Sequence, residues 1–265
     1  MQNKESLQGE SMEKNTKQIK VKSLYKALQI LLYFTEGAEE LGVTELAEKS
    51  GVLKSTVSNI MSTYEVCGMV ERNPKTNKFR LGIKILELSN QFYYNNDIRK
   101  VIRPYMEKVA EETRETVYLA VFYGEEIIYL DATFPADSIG NRNMAGVKAP
   151  AYCTGIGKAL LAYEQDHVIE AIIAKGLTSF TEHTITEPDA LKEELAHIRG
   201  RGYSVDNMEH EFGVRCVAVP VKSYDGTIRA AISVSGPSLR FQDDRIEELA
   251  ILLKQAAEAV KWQIR

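Results

Sequence analysis

Residues 43–62 read VTELAEKSGVLKSTVSNIMS, and this stretch restricts the fold more than any other part of the chain. Ala47 is small where two helices must cross closely. Gly51, four residues later, suits the left-handed backbone of a tight connecting turn. Leu46, Val52, Val57 and Ile60 are apolar where a two-helix unit faces its core. Lys54, Ser55, Thr56, Ser58 and Asn59 are polar at the start of the second helix. Any helical hairpin can carry a glycine turn. The combination predicts a helix-turn-helix whose second helix enters a DNA major groove.

The next segment extends that reading. In MVERNPKTNKFRLG, residues 69–82, Met69-Val70 and Phe79-Arg80-Leu81 can pair as short strands. Asn73-Pro74 opens the turn between them, because proline presets a turn dihedral and removes a ladder donor. A β-hairpin directly after a recognition helix is a wing. Arg72, Lys75, Lys78 and Arg80 are then expected to face phosphates or a minor groove. A merely solubilising hairpin is the alternative.

The net charge of −4 looks wrong for a DNA binder, but its distribution matters more. Residues 52–82 carry Lys54, Arg72, Lys75, Lys78 and Arg80 against Glu65 and Glu71, whereas residues 83–265 hold 21 basic and 27 acidic residues. A small cationic face on an acidic body suits a regulator that touches few phosphates and discriminates by base contacts. It does not suit a non-specific nucleic-acid coat. No run of about 18 apolar residues predicts a membrane span. No export signal opens the chain, so a cytoplasmic protein is expected. Residues 1–18 are polar and aperiodic, and read as a disordered tail or start-site artefact. Cys67, Cys153 and Cys216 are odd in number and widely spaced, which fits reduced thiols. His167, His183, His197 and His210 lack metal-ligand spacing. No metal or other cofactor is expected.

The periodicity divides the chain into three parts. Residues 19–82 form the winged helix-turn-helix domain. Within it, Val21, Leu24, Leu28, Leu31 and Leu32 recur at helical spacing and predict a support helix from Val21 to Phe34. Residues 83–113 read as linker helices, one from Ile83 to about Tyr94. Ile83, Leu86 and residues near Asn90 and Tyr93 share its apolar face. Asn95-Asn96-Asp97 marks a break, and Asp97 can cap the next helix. That helix carries Val101, Ile102, Tyr105 and Val109, and Pro104 either kinks it or marks its start. The linker stripe serves dimerisation or relay, or packs on its own domain. Residues 114–265 form the third part. Thr116–Phe122 and Glu126–Ala132 read as one hairpin, and Val214–Lys222 and Thr227–Val234 as another, the latter turned by Asp225-Gly226. Helical runs lie near Gly157–Tyr163, Asp166–Lys175, Asp189–Arg201 and Gln242–Trp262. Hairpins with helices between them predict an antiparallel α+β domain.

Residues 150–162, PAYCTGIGKALLA, are the second signature. Gly-x-Gly-Lys suggests a phosphate loop, but the first glycine of that motif is missing and Ala159 stands where a metal-binding hydroxyl is needed. What remains is a glycine turn into a helix, capped by Thr154, whose free N–H groups suit a carboxylate. A capped helix with close glycine packing is the alternative. Strand alternation puts Ser233 and Ser235 on one face, opposite Ile232 and Val234. Cys216 and Ala218 likewise share a face, opposite Val217 and Val219. Asp206 sits at a strand end and can accept a ligand hydroxyl. It would repel a carboxylate unless set at the far end of the ligand or protonated.

With these motifs in order, the chain resembles the IclR family of bacterial transcription regulators from about Val21 onward. The resemblance rests on LAEKSGVLKSTVSNIM, TGIGKALLA, RGYSVDNMEHEFGVRCVAVPV and AAISVSGP. It implies a GAF-like effector domain, a homodimer or dimer of dimers, double-stranded DNA with a palindromic operator, and a small organic acid as effector. By motif it implies ligand contacts at Gly155, Ile156, Asp206, Cys216, Ser233 and Ser235. The function so implied is a ligand-responsive DNA-binding regulator, expected to repress a catabolic operon. One departure is Ala151-Tyr152-Cys153, where many members carry Leu-His-Ala, so Tyr152 is expected to alter the pocket mouth. Arg142, in the loop before this motif, is either a second anion anchor or a solvated side chain.

An enzyme fused to a DNA-binding module is the alternative function. Cys216 with His210 is then the nucleophile and base, which needs mutual hydrogen-bond reach and an orienting third group. A strand cysteine beside valines is more often a packed thiol. An effector-free scaffold is a third reading, weakened by the polar pocket residues.

Overall fold

The computed structural model describes residues 19–95, 97–136 and 144–264. The expectations for residues 1–18 and for Arg142 lie outside them. The chain forms two compact units, one ending at Asn95 and the other beginning at Asn96.

The first unit contains α1 (Lys22–Leu32), a 3-10 turn over Tyr33–Thr35, α2 (Val43–Ser50), α3 (Lys54–Val66), β1 (Val70–Arg72), β2 (Phe79–Leu81) and α4 (Ile83–Asn95). Ile30, Phe34, Leu41, Leu46, Ala47, Val57, Met61, Val70 and Phe79 form its buried core, with Val52 and Ile60 packed against it. Gly51 closes α2 at φ +65°, as the turn requires. β1 and β2 pair antiparallel in the register Val70–Leu81, Glu71–Arg80 and Arg72–Phe79. Asn77, at φ +58°, turns the hairpin. Leu41 and Phe79 exchange both backbone hydrogen bonds at 2.9 Å, so the wing is also tied to the segment before α2.

Helix α1 corrects one expectation. Val21, Leu24, Leu28 and Leu32 are exposed, and the helix instead packs through Ile30, Leu31 and the following Tyr33 and Phe34. Two apolar stripes run along this helix, and only the end nearest the turn meets the core. Helix α4 buries no side chain, and Ile83, Leu86, Leu88, Phe92 and Tyr94 are exposed.

The second unit contains α5 (Asp97–Thr113), β3 (Thr116–Tyr123), β4 (Glu126–Thr133), β5 (Lys148–Pro150), α6 (Gly155–Leu161), α7 (Asp166–Lys175), α8 (Pro188–Arg201), β6 (Ser204–Asn207), β7 (Val214–Lys222), β8 (Ile228–Pro237) and α9 (Asp243–Val260). The strands form one antiparallel sheet in the order β5-β4-β3-β8-β7-β6. One face packs on α5 and α9 through Ile102, Met106, Val117, Leu119, Val217, Val219, Ile232, Val234, Leu249 and Leu253. The other packs on α6, α7 and α8 through Ala120, Ala218, Ile156, Leu160, Ile169, Leu191 and Leu195. Pro104 lies inside α5, which is continuous through it. Helix α5 is thus part of this unit's core. Helix α6 begins at Gly155, two residues earlier than expected, because Thr154 Oγ1 accepts the Gly157 N–H at 3.2 Å and closes the first turn there.

Two glycines of the first unit are expected to respond differently to a methyl group. At Gly51 the space is open, so Gly51→Ala costs about 1 kcal/mol through the left-handed backbone alone. At Gly82 a Cβ would collide with the Gly68 carbonyl, so Gly82→Ala should cost more. Unfolding midpoints of the two variants check this order, and equal losses would contradict the close approach.

Candidate functional site

In the first unit α3 projects its N-terminal turn outward. Lys54, Ser55, Thr56 and Asn59 are exposed and Ser58 is half-buried, while Val57 and Met61 anchor the opposite side. Lys54, Ser55, Thr56 and Asn59 are thus accessible at the start of α3. The wing cations are placed less simply. Lys75 is exposed at the turn, where its backbone N–H caps onto Asn73 Oδ1 at 2.9 Å. Arg72 pairs with Glu65 at 3.2 Å, Lys78 with Glu45 at 2.7 Å and Arg80 with Glu71 at 3.0 Å. Glu45 lies before residues 52–82 and so adds an acid to the face that their charge alone does not show.

In the second unit, Asp206, Cys216 and Ser235 stand side by side on β6, β7 and β8, and Ser204, Ala218 and Ser233 form the next row. The Cys216 thiol donates to Ser235 Oγ at 2.9 Å. Gly155 lies directly over the first row, since a Cβ there would stand 3.2 Å from Cys216 Cβ and 3.4 Å from Asp206 Cβ. Its carbonyl accepts the Ser204 hydroxyl at 2.5 Å. The structure therefore gathers Gly155, Asp206, Cys216 and Ser235, with Ser233 buried one row along and Ile156 buried in α6. Gly157 is a packing glycine, because a Cβ would collide with Thr154 and the Ala151 backbone. Its N–H is already held by Thr154, so the free donors expected at this helix start are reduced by one.

Several residues of this region are not among the expected site positions. Tyr118 pairs with Ser233 across β3 and β8, and its ring meets Tyr129 edge-on at 5.4 Å between centroids. Lys158 is buried, hydrogen-bonds Glu209, and lies 3.9 Å from Glu194, which pairs with Arg201 at 2.7 Å. The lysine of the false phosphate motif thus points into an acid network. Glu209 returns a backbone N–H to Asp206 Oδ1 at 2.7 Å. Alternation on β3 and β4 could have found the tyrosines. Nothing local could have paired residues 158 and 209.

Burial sets the proton affinities here. Asp206 is pushed up to about 7, first by desolvation and then by the Glu209 carboxylate, although the Glu209 and His210 backbone bonds oppose this. Burial also raises Cys153 to about 12 and moves Cys216 well above an ordinary thiol. His210 is lowered by burial, and its ring packs on Phe180 at 5.2 Å. Cys216 is therefore a protonated thiol bonded to a serine, the opposite of an activated nucleophile. Tyr152 turns its hydroxyl to the Thr178 carbonyl at 2.7 Å and lines a separate open cleft of about 500 Å³ with Tyr123, Lys175 and Phe180. Among the described residues no cluster of His, Cys, Asp and Glu could hold a metal ion, and no helix is long and apolar enough to cross a membrane.

A winged helix-turn-helix unit followed in the chain by an antiparallel α+β unit defines a class of transcriptional regulator. Residues 91–262 match the bacterial transcriptional regulator IclR C-terminal family, and residues 23–74 match the IclR helix-turn-helix domain. The chain belongs to the IclR family, and it is a regulator and not an enzyme. It is 34% identical over 248 residues to the HTH-type transcriptional regulator KdgR of Escherichia coli, covering 92% of this chain and 93% of that one. It is 32% identical over 243 residues to the Transcriptional repressor IclR of the same organism, covering 91% and 89%. The crystal structure of the Thermotoga maritima IclR aligns at a TM-score of 0.68 and 32% identity, covering 91% and 97%.

The raised Asp206 makes stability depend on pH. Between about pH 4 and about pH 7 the folded chain keeps a proton that the unfolded chain has released. Stability should fall as pH rises through that window and level off above it. Asp206→Asn should remove this part of the slope in unfolding measurements, and identical slopes would contradict it. Lys158→Met strands Glu209 in the interior and should cost about 3–5 kcal/mol. A loss below about 1 kcal/mol in denaturant titration would show that the ion pair is not buried as described.

Proposed function

We propose that this chain is a cytoplasmic, effector-responsive repressor of a catabolic operon. It acts as a homodimer or dimer of dimers on a palindromic operator. The observation that carries the DNA-binding half is the exposed Lys54–Asn59 face of α3 beside a wing with Lys75 at its tip. Lys54, Ser55, Thr56, Ser58 and Asn59 would read base edges, and Lys75 would hold a phosphate. A two-fold dimer sets the half-sites about one helical turn, or a multiple, apart. The exposed apolar side chains of α1 and α4 favour a self-association surface. The repressor assignment draws on the likeness to the Escherichia coli repressor.

The effector is a small organic acid held in the GAF-like second domain, against Gly155, Ile156, Asp206, Cys216, Ser233 and Ser235. Serine hydroxyls supply donors, and the proton affinity of Asp206 supports a neutral carboxyl there near pH 7. A neutral carboxyl would donate to an anion where an ionised one would repel it.

A thermal-shift screen against pyruvate, glyoxylate, sugar-derived keto acids and hydroxybenzoates tests the pocket. A ligand at about a hundred times its Kd should stabilise the fold by roughly 2.7 kcal/mol. Loss of that shift in Ser235→Ala places it as proposed, whereas a shift unchanged by the substitution refutes the site. For DNA, Asn59→Ala should change the sequence preference of selected duplexes. A uniform loss across sequences would argue against base reading by Asn59.

A further inference from the structure

The wing of the first unit is gripped by three acids from outside the hairpin. Glu65, at the end of α3, accepts Arg72 Nη2 at 3.2 Å. Arg72 also donates Nη1 to Asn77 Oδ1 at 3.0 Å, and its guanidinium lies 4.4 Å over the Phe79 ring. Glu45, in the first turn of α2, accepts Lys78 at 2.7 Å and the Gly42 N–H at 2.6 Å. Glu40 accepts Asn73 Nδ2 at 2.6 Å and Thr76 Oγ1 at 2.8 Å. These bonds hold the carboxyls of Glu40 and Glu45 below their ordinary value, so both are ionised at neutral pH. Behind them runs the backbone bridge between Leu41 and Phe79.

We infer that Arg72 and Lys78 are positioning residues, which lock the wing against α2 and α3, and are not phosphate contacts. The inference rests on the DNA-binding reading. Each guanidinium or ammonium already has a carboxylate in good geometry, and Arg72 has an amide and a ring as well. A phosphate would have to displace these partners one by one. A wing fixed in advance instead meets DNA without an ordering cost. Phosphate contact then falls to the exposed Lys75.

The test uses the full chain and a duplex that it enriches from a random-sequence library, with binding read by fluorescence anisotropy. Were Lys78 a phosphate contact, Lys78→Met would weaken binding and Glu45→Gln would tighten it. As a clasp, both should weaken binding, each by about threefold, and the double variant should be no weaker than either alone. The swapped pair, Lys78→Glu with Glu45→Lys, should recover most of the affinity, because it restores the pair with its charges reversed. Opposite signs in the single variants, or a swap as weak as Lys78→Glu alone, would overturn the inference. Enrichment of no duplex by the wild type refutes the DNA-binding reading itself. The clasp is then judged by thermal unfolding without DNA, where additive effects at positions 45 and 78 overturn it.

Discussion

Lys158 loses nearly all of its hydration in the folded chain, and Glu209 is the group that makes this tolerable. An unpaired ammonium in that position would destabilise the unit by several kcal/mol. The pair therefore ties α6 to the segment after β6. Once it forms, the Glu209 backbone is placed to bind Asp206, and Asp206 is set beneath Gly155. The small-residue approach at Gly155 and the capped turn at Thr154 depend on the same seating of α6. The Lys158–Glu209 pair thus seats α6 over the Asp206–Cys216–Ser235 row without belonging to that row.

The first unit uses charge differently. Its ion pairs are close to half exposed on both partners, as with 41% and 43% for Lys78 and Glu45. Water and salt screen such pairs, and each contributes little to stability. Their effect is directional. A carboxylate that holds a cation and a backbone N–H together restricts where a short hairpin can lie. Stability in this unit comes from Ile30, Leu46, Val57, Met61 and Phe79, while Glu65 and Glu45 tie the hairpin to α3 and α2.

What could be read from the sequence followed the range of the interaction. The helix-turn-helix, the wing and the strand faces were legible because each is set by neighbours within one period. Gly51 needed its left-handed turn, and Ser233 and Ser235 had to share a face. The support helix forms as expected but buries a different stripe, for a physical reason. Leu24, Leu28 and Leu32 form one stripe and Ala27, Ile30 and Phe34 another, and a helix can bury only the one that meets a partner. Lys158 and Glu209 are 51 positions apart, and Lys78 and Glu45 are 33 apart. No local pattern marks such pairs, so a lysine inside a glycine motif and a cation on a wing both look free. Glu40 and Glu45 lie before residue 52, so the charge of residues 52–82 does not show them for the same reason.

At Asp206 the environment reverses what residue type alone implies. A carboxylate facing an anionic ligand is unfavourable at any distance short of full screening. Yet Asp206 is desolvated, lies beside a second carboxylate, and shares the only nearby ammonium among the described residues with Glu209 and Glu194. Lys158 is engaged by Glu209 and lies 3.9 Å from Glu194, which Arg201 also holds, so it offsets an Asp206 carboxylate only in part. A proton supplies the rest, and Asp206 is the acid of the three without an ion-pair partner. In the proposed pocket that proton turns an apparent repulsive group into a hydrogen-bond donor. Burial first and the Glu209 carboxylate next favour that proton, and the lysine that seats α6, already engaged by Glu209, opposes it only in part.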